Sequence, residues 1–147
     1  MTLRNKALMK NIEQVGYHDL QNRPAFQIVM QKCGEKYYLY CASWRHNGWS
    51  ILDVTDPTNP KMIQFKEGPW INEDCHDGQN TCKIQVADGL MLTAHGTMAG
   101  FLTGCPEGCP AWCGLMVWDV KTDPTDPKLL GTFECPGGQG VHRSFYN

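Results

Sequence analysis

Long apolar runs, a surplus of one charge and helical periodicity are all scarce in this chain of 147 residues. No stretch approaches the roughly 18 uninterrupted apolar residues that a bilayer-spanning helix needs. The 13 basic and 15 acidic side chains nearly cancel, to a formal charge of -2, and the lysines and arginines form no stripe. Neither nucleic acid nor a membrane surface is therefore favoured as a partner. With 15 glycines and nine prolines breaking the chain every few positions, only the first fifteen residues leave room for an amphipathic helix. The familiar catalytic signatures are missing too: no phosphate-binding loop, no GxSxG elbow, no HExxH and no EF-hand. The Gly137 to Gly140 stretch (GGQG) precedes no helix and reads as a turn. The N-terminus, MTLRNKALMKNIEQ, has neither an apolar core nor a small-residue cleavage site, so it is not a secretory signal as written.

What is present is a series of short runs rich in aromatic and β-branched residues. They include Tyr37 to Cys41, Trp49 to Val54, Ile84 to Ala87, Leu90 to Ala94 and Leu115 to Val120, separated by NG, DG, DP, NP and GG turn signals. That pattern predicts consecutive antiparallel strands and an all-β class. An internal repeat organises them: Gly48 to Lys61 (GWSILDVTDPTNPK) returns as Gly114 to Lys128 (GLMVWDVKTDPTDPK). The offset is 66 residues at Asp53 and Asp119 and 67 at Pro60 and Pro127, so the second copy carries one extra residue in its turn. The aspartate ending each strand is expected to cap the turn backbone, and the prolines to fix φ and stop further pairing. A further strand precedes each copy, YLYCA in the first and LMLTA in the second. Between strand and copy lie WRHN in the first and the enlarged GTMAGFLTGCPEGCPAWC in the second. Without that insertion the period falls near about 50 residues, the range of propeller blades.

These repeats resemble the LVIVD repeat of β-propeller proteins. YYLYCASWRHNGWSILDVTDP, QVADGLML and GVHRSFYN are similar to stretches of successive blades in one LVIVD subgroup, from about Tyr17 onward. The Cys-rich insertion at 105 to 113 and the chain length depart from that pattern. The resemblance implies an incomplete β-propeller over 16–147, after an N-terminal extension at 1–15. Repeat units near 37–69 and 89–136 and the insertion at 96–113 would make about two to three blades. Closed propellers need at least about four blades. The expectation is therefore a ring completed by a second chain, by a missing C-terminal part or by a homo-oligomer of half-rings. If processing ends this chain, a partner's new N-terminal Ser, Thr or Cys becomes a candidate nucleophile, giving an N-terminal-nucleophile hydrolase as one alternative.

Five histidines carry the functional expectation: His18, His46, His76, His95 and His142. His76 and His142 each fall 23 residues after their repeat's aspartate, and His18 precedes His76 by 58. Equivalent positions of different blades converge on a propeller's axis, so these three are candidate metal ligands at the mouth of the central channel. His46 and His95 are further contributors from the loops between strands. Imidazole suits Zn, Cu, Fe and Ni, so the expected cofactor is a divalent or redox transition metal, as in propeller enzymes that hold a metal on the axis. The bland alternative is that each histidine bonds a neighbouring blade's backbone and closes the fold. Arg143 beside His142, and Arg45 beside His46, are candidates for two-pronged binding of a substrate carboxylate. Asp77, with Glu73 and Asp74, is a candidate general base or orienting group for His76.

The eight cysteines have two physical explanations, disulfides or metal and redox chemistry. Cys105, Cys109 and Cys113 lack the C-x2-C pairs of zinc ribbons, and a disulfide-stapled loop is the stronger expectation. Cys75 and Cys82 flank His76, Cys135 is placed to reach the 105 to 113 insertion, and Cys33 and Cys41 fall on adjacent strands of one hairpin. Disulfides imply an oxidising compartment, periplasmic or extracellular. The reading as a whole is part of a β-propeller enzyme that converts a small molecule with metal assistance at a histidine-lined axial site. His76, His142, Arg143 and Asp77 would be its catalytic residues, and hydrolase, lyase and redox versions are not separable. The alternative from another class is a non-catalytic propeller serving as a binding or cell-surface interaction module.

Overall fold

The computed structural model describes residues 10–69, 79–97 and 112–145. They form eight strands in two antiparallel four-stranded sheets, each a meander in chain order. The first sheet comprises β1 (Ala25–Cys33), β2 (Lys36–Ser43), β3 (Gly48–Asp53) and β4 (Lys61–Glu67). The second comprises β5 (Asn80–Ala87), β6 (Leu90–Gly96), β7 (Gly114–Asp119) and β8 (Lys128–Glu134). The chain is all-β as expected, and the strands foreseen from the aromatic and β-branched runs are β2, β3, β5, β6 and β7. Each sheet begins one strand before the repeat unit read from the sequence.

The two copies of the repeat fold alike. The β3–β4 and β7–β8 ladders each slip by one residue at equivalent places, between Ile51 and Leu52 and between Val117 and Trp118. Val54 N–H donates to the Tyr37 carbonyl at 2.9 Å, and Val120 N–H donates to the Gly89 carbonyl at 3.0 Å. At the turns, Asp53 Oδ1 accepts the Thr55 N–H at 2.9 Å, and Asp119 Oδ1 accepts those of Lys121 and Thr122 at 2.8 and 2.9 Å. Asp56 and Asp123 repeat this one turn later with Thr58 and Thr125. Asp53 lies opposite Lys61 and Asp119 opposite Lys128, so the extra residue of the second copy is spent inside this turn. The first hairpins turn on Gly34, at φ 61, and on Asp88 and Gly89, at φ 53 and 79. The second pair is the left-handed couple that a two-residue Asp-Gly hairpin requires.

The sheets pack face to face. Tyr38, Tyr40, Ala42, Trp49 and Ile51 of the first sheet meet Ile84, Met91, Met116, Trp118 and Val120 of the second in one core. Trp49 and Trp118 lie edge to face with centroids 4.7 Å apart, an arrangement favoured by the ring quadrupole. Polar reach stitches the rim: Tyr40 Oη donates to the Pro124 carbonyl at 3.0 Å, Gln31 Nε2 to the Val120 carbonyl at 3.3 Å, and Lys66 Nζ to Asp126 at 2.8 Å. β5 packs against β1, β2 and β3, so the leading strands of the two sheets lie together.

This topology sorts the connections into two ends. The tight turns at 34–35, 54–60, 88–89 and 120–127 lie at one end. The β2–β3 loop, the ends of β4 and β6, the starts of β5 and β7 and the segment leaving β8 lie at the other.

Candidate functional site

His46 and His95 both belong to this second end. His95 is the next-to-last residue of β6, where it pairs with Thr81 of β5 and Gly114 of β7, and its side chain is fully buried between the sheets. Thr93 Oγ1 accepts from Trp118 Nε1 at 2.9 Å and lies 2.6 Å from His95 Nε2, while Thr81 Oγ1 lies 3.2 Å from His95 Nδ1. Trp49 and Trp112 flank the ring edge-on, with centroids 6.2 and 5.7 Å away. Burial pulls the His95 pKa down to about 3, so the imidazole is neutral, and each ring nitrogen has a threonine hydroxyl within hydrogen-bond distance.

Around it lies a shell of buried amides and indole. Asn47 Nδ2 donates to the Pro69 carbonyl at 2.5 Å, and Gln79 Oε1 accepts the Trp112 N–H at 3.2 Å. Asn47 Oδ1, Trp49 Nε1, Gln79 Nε2 and Asn80 Nδ2 find no hydrogen-bond partner among the described residues. Gly68 closes this shell: a Cβ there would stand 2.3 Å from Asn47 Oδ1 and 3.1 Å from His95 Nδ1.

The other candidates are dispersed. His46 is half-buried in the β2–β3 loop, beside an exposed Arg45 at φ 68, a left-handed conformation unusual for a residue with a side chain. His18 lies in the segment before β1, next to the single turn Leu20–Asn22. That segment packs on the outer edge of the first sheet, with Gly16 against Pro57 and Pro60 and the Arg23 guanidinium over Phe65 at 4.2 Å. His18 Nδ1 accepts the Leu20 N–H at 2.9 Å. His142 is exposed in the segment leaving β8, while His76, Asp77, Glu73 and Asp74 lie outside the described residues. Among the described residues, no three His, Cys, Asp or Glu side chains converge closely enough to hold a metal ion.

Arg143 is the candidate that reaches a cavity. After β8 the chain returns along β6, where Thr97 N–H donates to the Gln139 carbonyl and Val141 N–H to the His95 carbonyl, at 2.9 and 3.3 Å. It then lies against β5, bringing Ser144 Oγ to 3.5 Å from Gln85 Oε1. The resulting cleft, about 420 Å³, is lined by Gln27 of β1, Lys83 and Gln85 of β5, and Arg143, Ser144 and Phe145. The Gln27 side chain also accepts the Ile84 N–H at 3.3 Å, and Lys83 Nζ stands over the Phe26 ring at 4.3 Å. Sequence reasoning found Arg143 but not its neighbours. The signal was present in Lys83 and Gln85 alternating with Ile84 and Val86, which gives β5 one apolar and one polar face.

The cysteine expectations change. Cys33, Cys41, Cys82, Cys113 and Cys135 are free thiols in this structure. Cys41 lies opposite Ile28 while Cys33 lies opposite Lys36, so the two are displaced along their hairpin and are not cross-strand neighbours. Cys82 is buried, its thiol donating to Asn80 Oδ1, and Cys113 donates to the Gly138 carbonyl at 3.0 Å. Burial pushes Cys41 and Cys82 up to about 12, which leaves them as inert core thiols. Cys75, Cys105 and Cys109 lie outside the described residues.

Comparison with protein-family models and with curated proteins returned no match to this chain.

Proposed function

We propose that the chain supplies two blades of a β-propeller and that the cleft beside β1 and β5 is part of its small-molecule site. The observation that carries this reading is the way successive elements stack. β5 packs against β1, β2 and β3, Ser144 in turn reaches Gln85 of β5, and the cleft opens where these elements meet. Such packing suits consecutive blades around an axis, and clefts between such elements are where small ligands bind. The four-stranded meanders and the equivalent ladder slips support the same reading. The remaining blades would come from further sequence of the same polypeptide, from a partner chain or from further copies of this one.

The catalytic half of the proposal is metal-assisted conversion of the bound molecule. It rests on His76 and Asp77 together with His142, because His95 has both nitrogens committed to threonines. A bound Zn, Cu, Fe or Ni would polarise the substrate or activate water. The same commitment of His95 favours the second reading, a non-catalytic binding module whose histidines close blades. Metal analysis of protein purified without a histidine tag separates the two. Stoichiometric metal that is lost in His76→Ala and in His142→Ala is the expected result; metal-free protein, with both variants folding unchanged, leaves the binding module in its place.

A further inference from the structure

The cleft is basic in a chain that is not. Among the described residues its lining holds two cations, Lys83 and Arg143, and no aspartate or glutamate, although the whole sequence carries a net charge of -2. Neither cation pairs with a carboxylate among the described residues, whose ion pairs are His18 with Asp19 and Lys66 with Asp126. The Lys83 ammonium stands over the Phe26 ring at 4.3 Å, a cation–π contact that leaves its other face open, and no carboxylate among the described residues pairs with it. Gln27, Gln85 and Ser144 add amide and hydroxyl groups to the same walls, and Phe145, 82% exposed, adds an uncovered ring at its rim.

We propose that this cleft binds a small organic oxyanion, a carboxylate or a phosphate ester. Arg143 grips two of its oxygens, Lys83 neutralises the remaining charge, and the organic body lies against Phe145. The proposal rests on the reading of the cleft as the small-molecule site and names its ligand class. The chemistry follows from the residue types. A guanidinium presents parallel N–H donors that match a carboxylate or phosphate edge, whereas an ammonium acts as a point charge. Two cations sharing one cleft repel each other, and an oxyanion between them removes that repulsion. Ser144 and the two glutamines then select among oxyanions by what they bond on the organic body. A volume of about 420 Å³ fits a small metabolite and not a polymer.

Ligand-observed NMR titration tests this with four aromatic probes of one size: benzoate, phenyl phosphate, benzyl alcohol and benzamidine. Arg143 is exposed and bonds no described residue, so its substitution leaves the fold intact. The expected result is that benzoate or phenyl phosphate binds while the neutral and cationic probes do not. Arg143→Gln should weaken that binding at least about tenfold and Arg143→Lys by less, with affinity falling as salt rises. Whichever of the two anions binds more tightly identifies the carboxylate or phosphate source. A Ser144→Trp variant, which fills the cleft, should abolish binding of every probe. If benzyl alcohol or benzamidine binds as well as the anions and Ser144→Trp abolishes it, the cleft is a ligand site but the oxyanion assignment is overturned. If no probe binds, or if binding survives Ser144→Trp, both the assignment and the site reading are overturned.

Discussion

At His95 the neighbours in contact, Thr81, Thr93, Trp49 and Trp112, carry no charge, so nothing offsets the cost of protonating a ring sealed between two sheets. Its folded pKa of about 3 lies below the ordinary 6.5, and below pH 6.5 the unfolded chain therefore binds a proton that the folded chain refuses. The histidine's contribution is complete above the unfolded value and is lost as pH falls from there toward about 3, at up to about 1.4 kcal/mol per pH unit. Asp53, Asp56, Asp119 and Asp123 are held below their ordinary 3.8 chiefly by threonine hydrogen bonds, so their contributions fade only at lower pH still. Among the described residues, His95 is therefore the group whose lowered pKa acts on stability between about pH 6.5 and 4.5, the window for denaturant titrations. Wild-type stability should fall across that window and His95→Gln should flatten the slope, even though the variant starts lower. An equal slope in both proteins would show that His95 does not set the acid response. In the sequence His95 reads as a loop residue, because the alternating run LMLTA ends at Ala94. Pairing with Thr81 and Gly114 on either side carries β6 on to Gly96, and those partners are 14 and 19 residues away in sequence, out of reach of a local pattern.

Gly48 and Gly114 open the two repeat copies for a reason that lies in the elements they start. At Gly48, φ is 148 and a Cβ would stand 2.2 Å from the Lys66 carbonyl of β4; at Gly114 a Cβ would stand 2.1 Å from the Phe133 carbonyl of β8. Each glycine lets its strand approach the next at the end of the ladder, and the obstacle is backbone, which cannot swing away. Gly131 of β8 is the internal control, since a Cβ there meets nothing within 4 Å. Gly48→Ala should cost about 2 to 4 kcal/mol from backbone strain and overpacking, while Gly131→Ala should be neutral or slightly stabilising. Thermal or denaturant unfolding of the pair reads this directly, and equal effects at both positions would remove the close-approach explanation. The repeat made β2, β3, β6 and β7 legible because they carry the buried, patterned core. β1 escaped notice because its alternation is inverted, with Ile28 and Met30 facing outward and Gln27 and Gln31 facing the second sheet. β4 and β8 escaped because Lys61, Lys66, Glu67, Lys128 and Glu134 dilute their apolar signal at the far edges of the sheets.

That inversion in β1 gains its meaning at the scale of the whole molecule. Ile28 and Met30 are each 57% exposed, two apolar side chains on the uncovered face of a strand whose other face is packed. At the opposite edge of the second sheet, β8 exposes Leu129, Leu130 and Phe133. Contiguous apolar exposure of this kind marks a surface that another element covers. In a stack of sheets the element that suits it is another sheet, as the second sheet suits the buried face of the first. The proposed ring therefore predicts association through β1, with a partner chain's blade or with a second copy. Exchanging Ile28 and Met30 for lysine removes about 1.5 to 3 kcal/mol of burial at each position, enough to weaken such an interface by about 100-fold or more. Both side chains point away from the core, so circular dichroism and thermal unfolding of the variant should match wild type. Light scattering coupled to size exclusion should find wild type larger than the 16.6 kDa chain, alone or with its co-purifying partner, and the double variant at monomer mass. A wild-type chain that elutes as a stable monomer, with β1 amides freely exchanging, would mean that this face stays open to solvent. The two sheets would then form a complete fold of their own, and the cleft at Lys83 and Arg143 would have to be read as a surface groove.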